Sequence, residues 1–556
     1  MWLITHKFQT SPECGKDRQA ELAASSRICV AREHVCYLGG AQMKEVLVAG
    51  VFAMIIVTAN PAVAQGKFVL EEASIASVRQ ALKDGTISCR ALVQAYLDRI
   101  AAYDEQGPKL HAIRALNPSA LAEADAFDGD KARLSSAPLG CVPLVLKDNY
   151  NTAELPTTGG SAFLAGARPK EDAFVVAKLR QAGAIILAKA NMQEFALGGT
   201  SVSSIGGQVN NPYDLTRTPG GSSGGTGAAV AANLALAGTG SDTVNSIRSP
   251  ASANNLIGFR PTQGLISLNG VMPVSKTQDA VGPIARNVAD VAALLQQMAG
   301  PDPDDPLTAS SKPEASYSDF LKRDALKGAR VGVIKVLFGA KPEHDQVNRV
   351  MKQALAALEA AGATLVTIED PAFEADRLNA EYDVQTYEFK PLINQYLASI
   401  PNAPQRDLTG IIASGQYHKP SLEKFLTGAE ARQNGLEEPA YKARLEKIAA
   451  FKKHLGSVFD DEHLDALVYP LQKRLVVPLG ELNQADRNGI VAGLTGFPAI
   501  DIPAGFSQPS ETAPLGVPVG MDFLGKPWSE GKLLGYAFAF EQATKHRQPP
   551  ASTPPL

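Results

Sequence analysis

Leu92, Val93, Tyr96, Leu97 and Ile100 recur at three- and four-residue intervals, which places them along one stripe of a helix. Asn117-Pro118-Ser119 then reads as the start of a second helix. Residues 142–146 form a short apolar run that ends in Lys147-Asp148-Asn149. Such a run predicts a buried strand delivering polar groups at its end. A helix over 173–182, a turn at Gly183 and an apolar strand over 184–188 make a helix–turn–strand unit, and a second unit spans 345–368. Near the end, 466–469, 499–503 and 517–523 look like core strands and 530–546 like a last helix. This alternation predicts an α/β fold, a sheet covered by helices.

Two stretches break the pattern. From about 198 to 270 the chain is crowded with Gly, Ser, Thr and Asn and nearly free of charge, interrupted by helix formers over 228–237. Polar, uncharged, glycine-rich sequence in mid-chain points to backbone that approaches a ligand closely. From about 300 to 465 the chain reads as amphipathic helix with proline-rich breaks. No fixed-period repeat and no clean linker divides it.

Charge narrows the classes. The 53 basic and 57 acidic residues give a net −4, which builds no field for nucleic acid or an anionic membrane. The N-terminus adds more. Residues 43–64 carry Lys44, an apolar run from Val46 to Val57, a break at Asn60-Pro61 and then Ala62-Val63-Ala64. This is the layout of a secretory signal peptide, too short and too promptly broken for a transmembrane helix. Forty-two residues precede it, holding Cys14, Cys29 and Cys36 and showing no helical or strand period. The expectation is that translation starts at Met43, that 1–42 is non-structural leader or a mis-assigned start, and that 65–556 is the mature, periplasmic or secreted chain. It would keep only Cys89 and Cys141, so at most one disulfide is possible there.

Several familiar chemistries lack their residues. There is no H-E-x-x-H, and the eight histidines are scattered. The glycine loop at 219–227 lacks the Lys-Ser/Thr of a P-loop. Gly220-Gly221-Ser222-Ser223-Gly224 satisfies G-x-S-x-G formally, but no apolar strand precedes it as a nucleophile elbow requires. No metal and no cofactor is expected.

The informative constellation is longer. It comprises V-P-L-V-L-K-D-N at 142–149, K-A-N-M-Q-E-F-A at 189–196, T-P-G-G-S-S-G-G-T-G-A-A-V-A-A at 218–232, G-S-D-T-V-N-S-I-R-S-P-A-S at 240–252 and G-F-R-P-T-Q-G-L-I at 258–266. It continues in T-G-F-P-A-I-D-I-P-A-G-F at 495–506 and P-V-G-M-D-F-L-G-K-P-W-S-E at 518–530. In order and spacing these motifs resemble the amidase signature family of serine hydrolases, over about residues 70 to 550. The resemblance implies one large α/β domain with a mixed central sheet surrounded by helices, the 300–465 region covering the active-site mouth. It also implies a nucleophile at Ser246, a bridging serine at Ser222 after a cis bond from Gly221, and a base at Lys147.

The chemistry has its own logic. A serine hydroxyl needs a nearby base, and lysine serves only when neutral, which requires desolvation and no carboxylate contact. The apolar run before Lys147 supplies burial, provided Asp148 points elsewhere. Ser222, both donor and acceptor, can relay the proton from Ser246 to Lys147 and return it to the leaving amine.

The oxyanion hole would come from the backbone N–H groups of Thr243, Val244, Asn245 and Ser246. Here the chain departs from the family's commonest pattern, in which two glycines precede the nucleophile. Val244 and Asn245 replace them; positive φ at Val244 would be costly, so either φ is negative there or the loop differs. Asp242 and Arg248 are expected to brace the loop. Cys141 reads as a small buried residue entering a strand, and Tyr150, Met192 and Phe195 as candidates to line the site.

The expected reaction is hydrolysis of a small-molecule carboxylic amide through an acyl-enzyme. Carbamate or ester hydrolysis on the same triad, and the glutamine-hydrolysing subunit of a tRNA amidotransferase, are the alternatives. Oligomeric state stays open, a homodimer included.

Overall fold

The computed structural model describes residues 68–432 and 434–556. The expected leader, signal peptide and mature start at Gln65 lie outside them. The centre of the fold is an eleven-stranded mixed sheet. In chain order its strands are β1 (Ile113–Leu116), β2 (Pro143–Lys147), β3 (Ile185–Ala190), β6 (Ala237–Asp242), β7 (Ile257–Arg260), β8 (Ala280–Ala285), β9 (Arg330–Ile334), β10 (Thr364–Ile368), β11 (Ala466–Pro470), β12 (Ala499–Phe506) and β13 (Pro518–Leu524). A small hairpin of β4 (Val202–Ser203) and β5 (Gly207–Gln208) stands apart from it. Across the sheet the order is β1-β3-β2-β6-β8-β7-β12-β13-β11-β9-β10. β3, β2 and β6 run parallel, as do β11, β9 and β10, and antiparallel strands join the two groups.

The apolar runs fold as their pattern predicts. β2 and β3 are buried at every position, as strands covered on both faces must be. The helix Cys89–Tyr103 buries Leu92, Val93, Tyr96 and Ile100 along one stripe. Cys141 is more than a small residue entering β2: it forms a disulfide with Cys89 at the start of that helix, with the Cα atoms 5.9 Å apart.

The glycine-rich region folds differently from its reading. Of the helix formers over 228–237, residues 228–231 end a fully buried helix, Gly224–Ala231, 232–236 form a turn, and Ala237 opens β6. β6, β7 and β8 are strands that carry few large apolar residues. Their glycines answer to crowding: a Cβ on Gly238 would meet the Val145 carbonyl at 2.7 Å, and one on Gly282 would meet the Phe259 carbonyl at 2.0 Å. β2 pairs with β6 only at Leu144↔Ala237 and Val145↔Gly238.

The region from 300 to 465 is likewise not all helix. Its β9–helix–β10 unit extends the sheet edge, with helix Asp345–Ala360 between the strands. A second part, with helices Gln385–Ser399 and Lys419–Glu430, packs an apolar cluster against Phe163, Met192, Phe195 and Met272. Helix Gln385–Ser399 of this second part lines a cavity that reaches Ser241 and Thr243. Among the described residues no helix is long and apolar enough to cross a membrane.

Candidate active site

Lys147 is the last residue of β2, and its side chain is fully buried. Its Nζ lies 2.7 Å from Ser222 Oγ, 2.8 Å from Ser241 Oγ and 3.3 Å from the Ser241 carbonyl. It makes no ion pair among the described residues. Burial pulls its pKa from 10.5 down to about 7, although the fields of Asp242 and Asp279 partly oppose this. Asp148 does point elsewhere, pairing with Lys189 at 3.1 Å and accepting from Thr158. Lys189 in turn donates to the Tyr150 carbonyl and Thr157 Oγ1. Two neighbouring buried lysines are thus kept in separate environments, one with a carboxylate and one without.

Ser222 sits in the turn before the helix Gly224–Ala231, following a cis peptide bond from Gly221. Gly220 holds φ +72°, and a Cβ there would lie 2.7 Å from the Ser249 carbonyl. Ser223, the next residue, donates its N–H (3.3 Å) and its hydroxyl to the carbonyl of Ser246. The two serine-bearing loops are thereby tied together. Ser246 keeps 6% of its surface exposed, whereas Lys147 and Ser222 keep none.

Between β6 and the helix Arg248–Ala253, the N–H groups of Thr243, Val244, Asn245 and Ser246 meet no acceptor among the described residues. Four consecutive unengaged donors in a buried loop are unusual, because buried N–H groups are nearly always paired. Val244 lies outside the positive-φ region, so its side chain does not strain the loop. Asp242 accepts from the Ile247 N–H (3.1 Å), Arg248 Nε (3.2 Å) and Arg260 Nη1 (3.1 Å). Burial alone would raise its pKa, but Arg248 and Arg260 hold it low. Arg248 also pairs with Asp522 and donates to the carbonyls of Val244 and Gly489. Asp242 and Arg248 therefore fix the loop from behind. Thr243 is fixed from the side, its hydroxyl donating to Asp279 at 2.7 Å.

The sequence reading missed Ser241 and Asn149. Asn149 donates to Ser241 Oγ at 3.0 Å, and Ser241 supplies two of the three atoms around Lys147 Nζ. The signal was present: in a strand over 237–242, Thr239 and Ser241 share one face and Asp242 the other. Tyr150 does not line the site, since it is wholly buried and donates to the Gly240 carbonyl. Met192 and Phe195 lie in the apolar cluster under the helices of the second part. A cavity of about 410 Å³ reaches Ser241, Thr243 and Asp279 and is also lined by Leu392, Gln395, Tyr396 and Ser399.

Comparison with known proteins supplies the family. The Amidase family profile matches residues 91–534. A probable amidase of Arabidopsis thaliana is 34% identical over 503 residues, covering 87% of this chain and 92% of the relative. A glutamyl-tRNA(Gln) amidotransferase subunit of Synechococcus sp. (strain CC9902) is 34% identical over 492 residues, covering 84% and 96% respectively. Among solved structures, the peptide amidase of Stenotrophomonas maltophilia superimposes with a TM-score of 0.78 at 36% identity, covering 87% of this chain and 99% of that one. The chain belongs to the amidase signature family and is an amide-hydrolysing enzyme.

Proposed function

We propose that this enzyme hydrolyses linear carboxylic amides, amidated peptides included, through an acyl-enzyme on Ser246. The observation that carries the reading is Lys147: fully buried, without a carboxylate contact, depressed to about 7 and 2.7 Å from Ser222 Oγ. Neutral lysine has one lone pair and two N–H groups. The lone pair accepts the Ser222 proton, while the N–H groups point to Ser241 Oγ and the Ser241 carbonyl. Ser222 in turn accepts the proton of Ser246 as its Oγ attacks the amide carbon. The developing oxyanion takes the free N–H groups of the 243–246 loop. On collapse the C–N bond breaks, the amine leaves with the proton returned from Lys147 through Ser222, and water then releases the acid by the same relay.

One observation supports this reading over the amidotransferase alternative: the Cys89–Cys141 disulfide suits an oxidising compartment. With the sequence at 43–64, the disulfide favours a periplasmic or secreted enzyme. The test is amine release from a panel of amides, carbamates and esters by the purified chain alone, with Ser246→Ala as blank, together with fluorophosphonate labelling of Ser246. No amine release and no label on Ser246 would end the proposal.

A further inference from the structure

Arg487 stands apart from the other charged groups around it. It lies in the segment that leads into the helix Ile490–Thr495, and its side chain is half-buried. Lys473 faces Glu374 at 3.4 Å, while His344 and Arg474 face Asp486 at 3.4 and 3.9 Å. Among the described residues the guanidinium of Arg487 has no hydrogen-bond or ion-pair partner. Burial lowers its pKa with no carboxylate to oppose the shift, yet a guanidinium stays charged at any working pH.

The place of this charge matters. A Cβ on Gly199 would lie 3.3 Å from Arg487 Nη1, and a Cβ on Gly221 would lie 2.9 Å from the Gly199 carbonyl carbon. One glycine thus separates Arg487 from the turn that carries Ser222. Two residues further on, a Cβ on Gly489 would meet the Val244 carbonyl at 2.9 Å and Asn245 Cβ at 2.4 Å. The segment 487–489 runs along both halves of the site. Gln193 Nε2, beside Gly198, and both Nδ2 and Oδ1 of Asn245 are likewise without a partner among the described residues. A guanidinium with no carboxylate beside it can take an anion.

Resting on the amide-hydrolysing reading above, we propose that Arg487 is a specificity residue that binds a carboxylate of the substrate, so that the preferred amides carry a carboxylate a short spacer from the scissile bond. A planar fork of donors fits that group, and pairing relieves the cost of a half-desolvated, unpaired cation. The carboxylate can sit on either side of the amide, in the acyl group or in the amine.

The experiment compares kcat/KM on three sets: monoamides of dicarboxylic acids, N-acyl amino acids, and the methyl esters of both as neutral controls. In the wild type we expect the carboxylate form of one set to exceed its ester by about 10- to 100-fold, the range of one charge-assisted bond, mainly through KM. The set that shows the gap locates the carboxylate. Arg487→Met should bring the ratio near one while leaving amide hydrolysis of the neutral substrates within about threefold, and Arg487→Lys should restore part of the gap. A wild-type ratio near one in both sets overturns the inference without need of a variant, and leaves the amide chemistry standing. So does Arg487→Met lowering charged and neutral substrates equally. If no amide of any set is cleaved, the chemistry proposed above falls and this inference falls with it.

Discussion

The burial of Lys147 makes a quantitative claim on the pH–rate profile. At an ordinary pKa of 10.5, only about 3 in 10,000 such amines would be neutral at pH 7. With the pKa drawn down to about 7, about half are neutral. Desolvation by the β2 environment thus raises the working fraction of base by about three orders of magnitude. The sign follows directly: protonation below this pKa removes the base, so kcat/KM should fall about tenfold for each unit of pH below about 6 and level off above about 8. Between pH 6 and pH 8 the rise should be about tenfold. The assay is release of a chromogenic amine at low substrate concentration, with the rate of fluorophosphonate labelling of Ser246 followed in parallel. Labelling needs no leaving amine, so it isolates activation of the nucleophile, and both curves should share one inflection. Lys147→Ala should lose more than about 10²-fold and lose the inflection. A profile that keeps climbing to pH 10, or Lys147→Ala with near-normal turnover between pH 6 and 9, would refute the assignment of Lys147 as base.

Other predictions test the surroundings. Asn245→Gly should leave kcat on the best substrate nearly unchanged but alter preference between acyl groups of different size; an equal drop of about 10²–10³ on all of them would make its side chain an oxyanion donor instead. Arg248→Met strands Asp522 in the interior, leaves Asp242 with Arg260 alone, and should cost about 3–5 kcal/mol, read as loss of soluble protein or a large drop in Tm, because breaking a buried pair leaves an uncompensated charge. Cys89→Ser opens a disulfide spanning 52 residues and should cost up to about 4 kcal/mol by the loop-entropy relation, seen as faster thermal inactivation and a thiol that titrates. Mass spectrometry of exported protein should find an N-terminus near Gln65; active exported protein beginning at Met1 would dismiss the signal peptide.

What could be read from the chain beforehand follows from how each feature is encoded. β2, β3, β11, β12 and β13 announce themselves as apolar runs because they are covered on both faces. β6 and β8 do not, since neighbouring backbone and side chains crowd their glycines and leave little room for the large side chains that signal a strand. Missing β6 hid Ser241, whose partnership with Lys147 follows from strand alternation once the strand is known. Lys147, Ser222 and Ser246 were legible through long motifs and not through periodicity, and the structure brings the first two into contact. The β9–helix–β10 unit was half visible as a helix and a strand, but its place at the sheet edge depends on distant pairing with β11. Arg487 was invisible for a different reason. A lone arginine in a polar loop reads as a solvated charge, and only the positions of the surrounding carboxylates show that none reaches it.

The short pairing of β2 with β6 has a consequence for how folding of this enzyme can be followed. Beyond Val145↔Gly238 the ladder ends, and the N–H of Lys147 turns to the Thr239 side chain at 3.4 Å. Lys147 and Ser241 therefore meet just past a seam held by two residue pairs. A slip of one residue along that seam would send the lysine to the opposite face of the sheet. Helix content, compactness and most of the hydrophobic interior would barely register such an error, yet no amide would be cleaved. Catalytic turnover is consequently a strict reporter of strand registration in this fold. During refolding, regain of activity should trail the far-ultraviolet circular dichroism signal by whatever time the central strands need to find their register.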